Sequence, residues 1–230
     1  MEKATPALST ALRQLGDEYK HSAPQTYVWR SVRLTYVVGE GPEGDRVEHS
    51  YELTADTTVF FIDQWVGVTP ECSRVDDLAA IGLAVQTPDR EAVLLPVGEP
   101  TGRRFAFRIH LVPPVLQGQT ARIDVSYHWR GAWDPLRKCG LDSGLFTLTH
   151  PASHLELRVV TPGGSLIDLA ETLPEGARMS RRRDDDEHEV LIAEWDDIQI
   201  GQLRFTLARA TEQPKGDNKK RQGSSLRHNQ

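Results

Sequence analysis

Apolar and polar residues alternate one by one along much of the chain, the period of half-buried β-strands. Between Tyr27 and Val38, the positions Val28, Val32, Leu34, Tyr36 and Val38 share one face, with Arg33 and Thr35 on the other. After the turn sequence GEGPEGD, Val47, Tyr51 and Leu53 oppose Arg46, Glu48, Ser50 and Glu52, so residues 27 to 54 read as a hairpin. VFFIDQWV at 59 to 66 is apolar on both faces, as a strand covered on both sides would be.

Further strands are expected at 79–86, 91–97, 103–111, 120–130, 154–161, 188–195 and 202–209. In 103–111, Phe105, Phe107, Ile109 and Leu111 alternate with Arg104, Ala106, Arg108 and His110. In 120–130, Ile123, Val125, Tyr127 and Trp129 point to the core, and Asp124, Ser126 and His128 point away from it.

Two segments break the alternation. Thr5 and Pro6 start a helical period through Leu8, Leu12, Leu15 and Tyr19, which predicts a short amphipathic helix over 6–20. Residues 211–230 carry Lys215, Lys219, Lys220, Arg221 and Arg227 among Gly, Ser, Asn and Gln, with almost nothing apolar, and are expected to be disordered. SRRRDDDEHE at 180–189 reads as a solvated loop or hairpin tip.

Together these give an all-β chain, an antiparallel β-sandwich of the immunoglobulin-like or open-barrel kind over 26–210. It is preceded by a helix and connector over 1–25 and followed by a basic tail over 211–230. The immunoglobulin likeness rests on strand pattern alone and implies nothing about activity.

Charge narrows the partners. The 230 residues carry a formal net charge of −6, which disfavours nucleic acid and anionic lipid as partners of the main domain and leaves only weak nucleic-acid contact through the tail. The acidic start MEKATPALSTALRQLGDEYK lacks the apolar core of a secretory signal, and no apolar run is long enough to span a membrane. The expected location is the cytoplasm, with Cys72 and Cys139 as free thiols; a disulfide between them is the alternative.

The candidate chemistry is sparse. Asp124, Ser126 and His128 hold the residue types of a nucleophilic triad, but same-face neighbours on a strand lie nearly 7 Å apart, whereas a serine and its base need about 3 Å. His110, His128 and Asp124 would suit a metal only if their strands paired, and no His-x-His, His-Glu-x-x-His or Cys-x-x-Cys spacing is present. Gly163-Gly164 is explained by a turn, and although Arg137 and Lys138 favour the thiolate of Cys139, no resolving cysteine is near it in sequence, so it reads as an exposed loop cysteine with no role. No catalytic residue, metal ligand or cofactor is therefore assigned.

The segment GAWDPLRKCGLDSGL, 131–145, stands out as a long connection between strands, the kind that often binds. Trp133, Arg137 and Lys138 are its candidate binding residues, because tryptophan and arginine dominate interface energies. The alternative for Trp133 is a plug over the end of the sandwich. The functional expectation is a binding or scaffolding module that works through protein contacts. The other reading is a small-molecule-binding or hydrolytic β-fold with a site assembled only in three dimensions.

Overall fold

The alternation over residues 27–54 becomes the first hairpin of a seven-stranded sheet. In the computed structural model, which describes residues 25–67, 81–98, 104–165, 167–184, 188–199 and 201–209, β1 (Tyr27–Val37) runs antiparallel to β2 (Arg46–Ala55). The expected helix over 6–20, the tail over 211–230 and Cys72 lie outside the described residues.

The next strands are β3 (Val59–Gly67), β4 (Ala84–Gln86), β5 (Glu91–Pro96), β6 (Arg104–Val115) and β7 (Thr120–His128). A short helix, α1 (Asp134–Cys139), leads into β8 (Leu141–Leu148) and β9 (Ala152–Pro162). β10 (Ile167–Leu173), β11 (Arg178–Asp184), β12 (His188–Ile198) and β13 (Gly201–Arg209) complete the chain.

The large sheet has the order β11-β12-β9-β1-β2-β7-β4, and two three-stranded sheets have the orders β10-β13-β8 and β3-β6-β5. Every described pairing is antiparallel except that of β1 with β9, which is parallel. The all-β class is as expected, and no barrel closes.

One continuous hydrophobic core joins the three sheets. Its floor is the inner face of the large sheet, where alternation places Val32, Leu34 and Tyr36 of β1 beside Val47, Tyr51 and Leu53 of β2 and Ile123 and Tyr127 of β7. Phe105, Phe107 and Ile109 of β6 and Leu203, Phe205 and Leu207 of β13 supply apolar side chains from the small sheets.

Several local expectations need correction. β3 is not covered on both sides: it is an edge strand, and Trp65 is 57% exposed. The polar run at 180–189 is no simple loop, because Arg178–Asp184 pairs with Arg178↔Glu194 through Asp184↔His188 as an edge strand of the large sheet. An edge strand with one solvated face tolerates the charges that make such a segment read as a loop. The long connection 131–145 contains α1 and the start of β8.

Candidate functional site

The two faces of the large sheet carry different chemistry, and each holds a concavity. On the outer face, cross-strand register sets Asp124, Ser50, Arg33, Glu156 and Glu194 side by side in one row. The next row holds Ser126, Glu48, Thr35 and Arg158. Strand twist curves this surface into an open hollow of about 1370 Å³.

Five arginines line the hollow: Arg33, Arg46, Arg122, Arg158 and Arg183. Glu40, Glu48 and Asp124 oppose them from the lining. Arg46 pairs with Glu48 at 2.8 Å and Arg122 with Asp124 at 3.0 Å. Glu156 is buried beneath Arg33, at 3.4 Å, and also pairs with Arg158, so one carboxylate serves two guanidiniums. The lining of the hollow thus carries five cations against three acids on a protein whose formal charge is −6, with Glu156 beneath it and Glu194 farther along the row.

The residues weighed for catalysis sit on or near this face. Ser126 lines the hollow and Asp124 is engaged by Arg122, while His128 is exposed at the end of β7, where its backbone N–H donates to Ile81. No hydrogen bond joins Ser126 to His128 among the described residues. His110, His128 and Asp124, weighed as metal ligands and not assigned, are not brought together. β6, which carries His110, belongs to the β3-β6-β5 sheet, whereas β7 belongs to the large one.

His110 is not on a polar surface either. It is buried beside Phe61 with ring centroids 5.6 Å apart, and burial, reinforced by Arg108, lowers its pKa. His154, Glu156 and Glu194 could present ligand atoms within 4.8 Å of one another, but Glu156 is already neutralised by Arg33 and Arg158.

The segment expected to form a recognition loop is folded down instead. Pro135 suits the first turn of α1, and Gly140, at φ 76°, ends it in the left-handed conformation with its N–H on Leu136 O. The turn before β2 supplies the anchor. Asp45, fully buried, accepts from Gly39 N at 3.1 Å, Trp133 N at 3.2 Å, and Arg137 Nη1 and Nη2 at 2.8 and 2.5 Å. These bonds, led by those to Asp45, hold the Arg137 guanidinium above its ordinary pKa.

Trp133 is consequently 3% exposed, packed against Tyr36 and Phe205, and is not the exposed indole expected of a surface anchor. Lys138 remains exposed and pairs with Asp134 at 2.8 Å. Cys139 is a free, exposed thiol.

The second concavity lies on the inner side, between β3 and β8, each the edge of its own small sheet. It encloses about 490 Å³, with Tyr36, His49 and Tyr51 among its walls and Trp65 and Leu145 exposed among its lining residues. Trp133 closes part of it. His49 is the residue that pattern reading passed over, and its signal was available: it falls in the apolar register of β2 between Val47 and Tyr51.

No family model and no curated protein matches the chain. Among solved structures, one of a "putative protease" from Parabacteroides distasonis aligns with a TM-score of 0.52 and 10% identity, covering 79% of this chain and 40% of that one. An M1 zinc metallopeptidase from Deinococcus radiodurans, as its E323A mutant, aligns at 0.49 and 12% identity over 79% and 42%. This chain therefore spans about two-fifths of the length of either. At such identity the first likeness concerns the fold alone.

Proposed function

We propose that the protein is a binding module that recognises an acidic protein surface through the outer face of the seven-stranded sheet, with residues 26–210 acting as one unit in the cytoplasm. The observation that carries this reading is the open, arginine-lined hollow, whose positive lean runs against the net charge of the chain. Complementary charge steers encounter and selects partners more than it adds raw affinity. Guanidiniums held in place by neighbouring carboxylates are suited to forked contacts with further carboxylates.

The fold comparison supports a modular role, since the same architecture occupies two-fifths of a longer chain in the Parabacteroides distasonis protein. Small edge strands and an uncovered sheet face are also common platforms for protein contacts. Arg46 and Arg122 on this face are exposed, so their charge can be reversed without opening the core.

Arg46→Glu combined with Arg122→Glu is expected to leave the melting temperature within a few degrees of wild type, since both side chains are exposed. Proteins captured from the native lysate by the wild-type chain at low salt, and released by about 0.5 M salt, should be acidic and should not be captured by the reversed variant. Capture of the same set by both chains, or of none by either, would remove the outer face as the recognition surface.

A further inference from the structure

The cavity between β3 and β8 is lined by two residues with buried polar atoms that no described residue matches. The His49 ring lies with Nδ1 2.9 Å from the Tyr51 hydroxyl, and that hydroxyl donates to Gln64 Oε1 at 3.1 Å. With the hydroxyl proton committed to Gln64, Nδ1 carries the imidazole proton and donates to Tyr51. Nε2 is then a bare acceptor, and burial, which pushes the His49 pKa down to about 3, keeps the ring neutral.

Trp133 presents the complementary group, an indole Nε1–H that can only donate. Neither His49 Nε2 nor Trp133 Nε1 has a hydrogen-bonding partner among the described residues, and His49 is only 7% and Trp133 3% exposed. Native proteins seldom leave such groups unmatched. Both rings line the cavity, and each meets Tyr36 edge to face, at 5.6 Å and 79° for His49 and at 5.7 Å and 89° for Trp133.

We infer that this cavity binds a small, neutral, flat aromatic or heteroaromatic molecule with a hydrogen-bond acceptor beside a donor, the acceptor receiving the Trp133 N–H and the donor serving His49 Nε2. The volume of about 490 Å³ lies in the range of small-molecule sites, which combine apolar walls with a few placed polar groups. Flat rings match walls that already prefer edge-to-face contact. The ligand is neutral because the one ionised residue in the lining, Asp63, is held by Arg108 at 2.7 and 3.0 Å, which leaves no free counter-charge.

Two glycines make this shape possible: a Cβ at Gly67 would collide with the Trp129 indole, and one at Gly144 with the Phe205 ring. The inference concerns the inner face of the sheet and is independent of partner binding on the outer one.

The full chain titrated with three probes of similar size tests it. Isoquinolin-1-one offers a ring with adjacent N–H and C=O, naphthalene the ring alone, and 1-naphthoate a ring with a negative charge. Isoquinolin-1-one is expected to bind roughly twenty-five-fold more tightly than naphthalene, at about fivefold for each of the two hydrogen bonds gained, and 1-naphthoate more weakly than either. Trp133→Phe and His49→Phe should each lower isoquinolin-1-one affinity about fivefold while leaving naphthalene unaffected. Should either variant fail to fold, the wild-type indole N–H resonance of Trp133 gives a second readout, moving further downfield with isoquinolin-1-one, which accepts its hydrogen bond, than with naphthalene. Equal affinity for isoquinolin-1-one and naphthalene, preference for the anion, or no binding of any probe would overturn the inference.

Discussion

Asp45 shows how one side chain in a turn can organise a distant segment. Its carboxylate is fully buried and accepts four hydrogen bonds, two of them from a guanidinium supplied by α1. Removing one partner of a buried ion pair leaves the other charge uncompensated, so Asp45→Ala is expected to destabilise the fold by about 3–5 kcal/mol in chemical denaturation. Adding Arg137→Leu to Asp45→Ala should restore part of that loss. Additive costs for the two substitutions would show that the pair is not coupled. His49 provides a second prediction at this scale. Its folded pKa of about 3 lies below the 6.5 of a free imidazole, so between these values the unfolded chain takes up a proton that the folded one refuses. The stability that depends on the neutral ring is complete above about pH 6.5 and is lost as pH falls toward 3. Urea midpoints measured from pH 7.5 to pH 4.5 should therefore drop more steeply for wild type than for His49→Phe, and parallel profiles would show that the ring is not protected. The role of Asp45 could not be read from sequence, because it sits in a turn where aspartate is ordinary and its partner Arg137 comes close only when α1 folds back, whereas His49 was marked by its place in the apolar register of β2.

Among the elements, the strands with clean alternation were legible, and those with competing signals were not. β1, β6 and β7 show apolar inner faces and β2 does so except at His49, and their expected bounds differ from the observed ones by only a few residues. β8, β10 and β11 were missed because each is an edge strand with little to bury, LDSGLFTL, IDLAETL and RMSRRRD, so period-two patterning is weak there. The same difference predicts local stability. β1 and β9 lie inside the large sheet with neighbours on both sides, whereas β4 is a three-residue strand at one edge. In hydrogen–deuterium exchange, amides of β1 and β9 should be the last to exchange and those of β4 among the first. If β4 were as protected as β1, its free edge would have to be covered by another chain.

For the molecule as a whole, composition and patterning were enough to reach an all-β class with antiparallel sheets, because alternation records which side of a strand is buried. They could not reach either concavity. The outer hollow depends on which strands lie side by side, and the inner cavity on two small sheets whose edges face one another; both are matters of long-range pairing that no local window contains. Long-range pairing also shapes how the chain comes to be built. β1 and β2 meet through a short turn, but the parallel partner of β1 arrives much later, with Trp29 set against Ala152. Until β9 leaves the ribosome, one long side of β1 has no strand to bond with, an interval on the order of ten seconds at ordinary rates of synthesis. For that time the middle of the future sheet is an open edge, and Arg30 and Arg33, exposed along β1, are the charges that discourage another nascent chain from adding itself there.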